Sequence, residues 1–159
     1  MQRYEEPGGR FSILLPSDWE HDATSSQYQF SAAKRSRDAG AVPDAWLGLT
    51  WMPPPCDRTM VDDAVAWYAD LLCWEDESRE LARTEMQVDG RRALLVDCAS
   101  ALADGHEARQ LTLLMEQYGI VWQVTCGVSD AGDYPAFEET FRVMLQSLEI
   151  HGAWSGVAG

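Results

Sequence analysis

No stretch of this chain approaches the roughly 18 consecutive apolar residues that a membrane-crossing helix requires. The N-terminus, Met-Gln-Arg-Tyr-Glu-Glu-Pro-Gly-Gly-Arg, is polar and acidic and has no apolar signal core, so a cytoplasmic location is expected. Basic charge is scarce: 12 Lys and Arg stand against 26 Asp and Glu, for a formal net charge of −14. Phosphate backbones and anionic headgroups are held by cationic surfaces, so neither nucleic acid nor an anionic membrane surface is an expected partner. Cys56, Cys73, Cys98 and Cys126 form no C-x-x-C and no Cys/His spacing of the zinc kind. The signatures G-x-x-x-x-G-K-[ST], G-x-G-x-x-G, H-E-x-x-H and G-x-S-x-G are all missing, which removes the common nucleotide-binding and hydrolase classes. No cofactor is expected.

The three histidines are scattered. His21 lies beside Asp22, His106 beside Glu107, and His151 near the end. Asp18, His21 and Asp22 are suitable metal-ligand types but match no motif, and they read as solvated turn residues. A Cys126–His106 nucleophile pair would place the thiol in an apolar strand, where burial raises its pKa and blunts its reactivity. No catalytic residue and no metal ligand is therefore assigned. Cys98 and Cys126 in apolar strands, and Cys73 on an apolar helix face, read as reduced core residues; a disulfide framework belongs to a secreted context that the sequence does not display.

Against these absences stand 46% hydrophobic residues and seven tryptophans, enough for a packed core in a chain of 159 residues. Residues 1–150 are expected to form one domain, with 151–159 a flexible tail. Phe11, Ile13 and Leu15 alternate along a first strand over 10–15, stopped by Pro16-Ser17-Asp18-Trp19. A second run, 27–33, places Tyr28 and Phe30 on one side, and the two are expected to pair as an antiparallel hairpin. After a loop over 34–44, a third strand over 45–52 is ended by Pro53-Pro54-Pro55. Thr59 and Asp62 resemble a capping box opening a helix over 60–74, with Val61, Ala64, Val65, Tyr68, Leu71 and Leu72 on its apolar stripe.

A four-strand meander follows. Asp89-Gly90 separates strands 81–88 and 91–99, and Tyr118-Gly119 separates strands 108–116 and 120–128. Asp133 is a natural N-cap with Pro135 in the first turn, and Phe137, Phe141, Met144, Leu145 and Leu148 form one helical stripe. Strands run in groups joined by local turns, so the fold class is α+β, an antiparallel sheet of about six to seven strands flanked by two main helices. Leu111–Met115 and Ile120–Val124 are apolar on both faces, which favours cover on both sides and an α/β/α sandwich.

The run Phe11-Ser12-Ile13-Leu14-Leu15-Pro16-Ser17-Asp18-Trp19 resembles the F-x-I-x-x-P-x-x-W opening strand of PsbP-like and Mog-type proteins. Asp89-Gly90, Gly119 before an apolar strand, and Tyr134, Phe137, Phe141 and Ser147-Leu148 are similar to the second half of that family, so the resemblance spans about residues 9–150. It implies an α/β/α sandwich and a mostly non-catalytic membership: extrinsic photosystem II subunits, a Ran-binding import factor, bacterial lipoproteins and effector-associated chaperones of type VI secretion. The chain departs from the lipoproteins in showing neither signal nor lipidation cysteine.

Seven tryptophans exceed what one small core needs. Trp46 and Trp51 point to opposite faces by alternation, and Trp67 falls off the helical stripe, so some of them are core and others candidates for a partner surface. Trp46, Trp51 and Trp67, with the helix carboxylates Asp62, Asp63 and Asp70, make up that candidate surface. The expected function is a non-catalytic adaptor or chaperone that binds a protein partner, a basic or apolar segment, and that can self-associate as a homodimer. A small-molecule or lipid pocket between sheet and helices is the alternative, and a hydrolase-like enzyme the third reading.

Overall fold

Two turns set the register of the main sheet. Asp89 and Gly90 adopt φ of 52° and 72°, and Tyr118 and Gly119 adopt 56° and 75°. Positive φ at both central positions matches the twist of the flanking strands and joins them through two residues. The computed structural model describes residues 1–22, 28–35, 43–53, 63–74 and 77–151. The predicted capping pair Thr59 and Asp62, Val61, Pro54, Pro55, most of the 34–44 loop and the tail beyond His151 lie outside the described residues.

In chain order the strands are β1 (Gln2–Glu5), β2 (Phe11–Leu15), β3 (Glu20–Asp22), β4 (Phe30–Lys34), β5 (Ala45–Met52), β6 (Ser78–Val88), β7 (Arg91–Ala101), β8 (Glu107–Gln117), β9 (Ile120–Val128) and β10 (Glu149–Ile150). Helix α1 spans Ala64–Leu72 and α2 spans Tyr134–Gln146, the latter entered through a 3-10 turn at Ala131–Asp133. The seven-stranded sheet has the order β3-β4-β5-β9-β8-β7-β6, with antiparallel pairs throughout. The predicted meander is β6 to β9.

The predicted hairpin of the first two strands does not form. β2 is instead the centre of a separate three-stranded sheet, β1-β2-β10, and the neighbour of β4 is the short β3. Phe11, Ile13 and Leu15 are all buried, and β2 meets this demand by lying beneath α2, where the Leu14 N–H donates to Ser147 Oγ at 2.8 Å. The Pro16–Trp19 turn, closed by the Trp19 N–H on the Pro16 carbonyl at 3.1 Å, then hands the chain to β3. Tyr28 and Phe30 also fall on opposite faces, because the strand begins only at Phe30 and alternation does not extend back to Tyr28.

The helices cover opposite faces of the large sheet, as strand alternation shows. Leu111, Leu113 and Met115 join Phe141, Met144 and Leu145 of α2, while Leu114 joins Val65 and Ala69 of α1. The first face is the larger core and includes Phe11, Phe30, Trp122 and Tyr134. The N-cap of α1 is Asp63, which accepts from the Ala66 N–H at 3.1 Å. Asp133 sits at the N-cap position of α2 without a side-chain cap bond; Asp130 caps the preceding 3-10 turn, accepting from the Gly132 N–H at 2.9 Å. This is an α+β fold, a flanked antiparallel sheet.

Candidate functional site: an aromatic groove on the open end of the sheet

α1 packs over β7 and β8, so the β5–β9 end of its face is left to other groups. Two glycines shape that end. A Cβ on Gly127 of β9 would come within 2.6 Å of the Trp46 ring, and one on Gly48 of β5 within 2.5 Å of the Tyr28 ring. Both rings therefore lie directly on backbone, which a strand glycine permits and no other residue would. Their centroids are 5.9 Å apart and their planes tilted by 33°. Around them opens a groove of about 470 Å³, lined by Trp46, Tyr28, Ser31, Ala33 and Pro43, with Glu20 and Asp22 of β3 along one side. Glu20 binds Arg35 at 2.8 Å. Burial raises the pKa of the Tyr28 phenol, so the floor stays neutral at physiological pH.

The remaining predicted residues are dispersed. Trp51 lies on the opposite face, 5.3 Å from Trp122 and 6.4 Å from Phe11, with the Arg10 guanidinium 5.3 Å above its ring. It is half-buried and belongs with the core. Trp67 is exposed on α1 and meets Tyr68 edge-on at 4.9 Å. Asp63 pairs with Arg92 at 3.0 Å and Asp70 with Arg83 at 2.9 Å. Asp62 lies outside the described residues. Tyr28, Glu20 and Asp22 were not among the predicted site residues; Gly48 and Gly127, glycines inside strands, were the available signal for an aromatic seated on the sheet.

The geometry separates the groups that a nucleophile pair would need. Cys126 is fully buried, its thiol pKa pushed up by that burial. Cys126 faces Leu111 across the ladder, and His106 precedes the start of β8, so about 17 Å of strand at roughly 3.4 Å per residue divides them. Among the described residues no group of three His, Cys, Asp or Glu side chains is arranged to hold a metal ion, and no helix is long and apolar enough to cross a membrane. The Arg109–Asp97 ion pair, well buried on its carboxylate side, is structural: Arg109 donates from Nε and Nη2 to the two oxygens of Asp97, at 3.1 and 2.8 Å, while its guanidinium stacks 4.0 Å from the Tyr134 ring centre. Burial pushes the Tyr134 hydroxyl pKa up to about 12.

A seven-stranded antiparallel sheet with one helix on each face, and a three-stranded sheet at the edge of the larger core, is a PsbP/Mog-like fold. Solved structures carry the same arrangement. The cyanobacterial PsbP (CyanoP) of Synechocystis superposes with a TM-score of 0.68 at 13% identity, over 94% of this chain and 92% of that one. LpqN, involved in cell envelope biogenesis of Mycobacterium tuberculosis, gives 0.65 at 13% identity over 95% and 91%. The Ran-binding protein Mog1p of Saccharomyces cerevisiae gives 0.63 at 12% identity over 94% of both chains. No family model and no curated protein matches the sequence.

Proposed function

We propose that the chain is a non-catalytic protein-binding domain, an adaptor or chaperone, that receives a partner segment in the Trp46–Tyr28 groove. The observation that carries this reading is the pair of rings laid on Gly127 and Gly48 beside the carboxylates of Glu20 and Asp22. Half-buried aromatics on a rigid floor are the side chains that dominate binding energy at interfaces, because they offer a large apolar area at little entropic cost. The flanking acid and the net charge of −14 suit a partner segment that is basic at its ends and apolar between them. Trp67, with Asp63 and Asp70 on α1, forms a second, convex patch in this proposal, and Trp51 supports the sheet from the core side. Mog1p, one of the structural neighbours, is by name a Ran-binding protein, which agrees with a binding role for the fold.

The test is affinity capture from native lysate with the wild-type chain and with Trp46→Ala. Truncating an interface anchor costs about 2 kcal/mol, so recovery of the co-purifying protein should fall roughly 30-fold while thermal unfolding stays cooperative. Equal recovery by both chains would sink the groove as the binding site.

A further inference from the structure

α1 lies on the sheet in a defined register. Asp63 at its start pairs with Arg92 at the start of β7, and Asp70 in its last turns pairs with Arg83, the cross-strand neighbour of Val96. Helix and strand therefore run in the same direction. Val65, Ala69 and Cys73 recur every four residues, about 6.0 Å along a helix axis. Leu94, Val96 and Cys98 recur every two residues, about 6.8 Å along a strand. The two ladders keep step and form one apolar cluster, with Cys98 buried in it and Cys73 packed against it from the end of the helix. Beyond Cys73 the chain is pinned back on the same part of β7: the Ala101 N–H donates to the Glu77 carbonyl at 2.9 Å, and the Ser78 and Ser100 hydroxyls meet at 3.0 Å. Cys73 and Cys98 therefore stand at the same end of this cluster, one arriving from the helix and the other from the strand.

We infer that Cys73 and Cys98 are a redox-responsive dithiol, which a low-molecular-weight disulfide such as oxidised glutathione converts to a disulfide clamping the end of α1 to β7. Cys73 is half-buried and Cys98 is buried, so the oxidant is met at Cys73. The Cys73 thiolate attacks one glutathione sulfur, breaking the S–S bond and releasing one glutathione thiolate, which takes up a proton. Cys98 then loses its proton and attacks the Cys73 sulfur of the mixed disulfide, displacing the second glutathione. Two protein S–H bonds are replaced by one S–S bond, and the two electrons reduce oxidised glutathione to two molecules of the thiol. Burial raises the Cys98 pKa, which makes the second step the slower one and keeps the pair reduced where oxidant is scarce.

The full chain, incubated natively with oxidised glutathione, acid-quenched and then alkylated in denaturant, tests this. The expected product is about 2 Da lighter than the reduced chain before alkylation, takes up two alkyl groups rather than four, and yields one cross-linked peptide pair containing Cys73 and Cys98. In Cys73→Ser the link is lost and Cys98 is alkylated, whereas Cys56→Ser leaves the link intact. Alkylation of all four cysteines, a glutathione adduct on Cys73 that never resolves, or a link running to Cys56 or Cys126 would each overturn the inference.

Discussion

The two faces of the large sheet are built for different ends. The face under α2 is densely filled across its central strands: Phe11, Phe30, Trp122, Tyr134 and Phe141 are all essentially inaccessible, and β2 and β10 close its margin. Among the described residues, the face under α1 is covered mainly over β7 and β8, by a nine-residue helix with two buried residues, Val65 and Ala69. Among the described residues, its β5–β9 end carries the glycine backbone of Gly48 and Gly127, Thr125 and the half-exposed rings of Trp46 and Tyr28, with Val121 and Met52 nearer the helix. Stability in such a sandwich concentrates where apolar area is removed from water. The open face can therefore carry substitutions, and a partner, at little cost to the fold.

Phe141→Ala should have the largest effect, because a fully buried ring leaves a cavity in a core with no room to collapse. A loss of about 3–5 kcal/mol is expected from the shift of the urea midpoint. On the open face, Asp63→Ala removes the N-cap of α1 and the Arg92 partner together, and should cost about 1 kcal/mol. That contribution depends on pH. Burial opposes ionisation of Asp63, but the Ala66 N–H and the Arg92 guanidinium outweigh it and hold the carboxyl below its ordinary range. A depressed folded pKa gives stability that is present at neutral pH and lost as pH falls below about 4. The wild-type and Asp63→Ala midpoints should accordingly converge on acidification. If Asp63→Ala cost as much as Phe141→Ala, the asymmetry between the faces would not hold. The smallest effect is expected for Trp67→Ser, within about 0.5 kcal/mol of wild type, together with weaker partner capture.

The sequence discloses those parts of the fold whose cause is local. Asp89-Gly90 and Tyr118-Gly119 dictate their own turns, and the meander follows; Phe141, Met144, Leu145 and Leu148 declare one face of α2. Trp46 and Trp51 lie on opposite faces because side chains alternate, a rule that needs no tertiary information. What escaped is what depends on a distant neighbour. Alternation in β2 specifies a buried face but not which strand lies beside it, and β1, β3 and β10 have four, three and two residues, too few for any periodicity to register. The groove escaped for a related reason: Tyr28 precedes its strand and reaches Gly48 only once β4 and β5 pair. The placing of Cys73 and Cys98 on one cluster follows from docking a helix on a strand, so it is invisible in the spacing of four cysteines.

One pairing joins strands made far apart in time. β2 lies between β1 and β10, with Phe11 opposite Ile150, the His151 N–H on the Arg10 carbonyl at 2.9 Å and the Ile150 N–H on Asp89 Oδ2 at 3.0 Å. During translation the partner of that edge is made after every other described element. The meander can zip as it emerges, but the flank of Phe11 stays open until residues 149 and 150 have left the ribosome. Completion of the core on the α2 side is therefore timed by the arrival of β10 rather than by the making of β2.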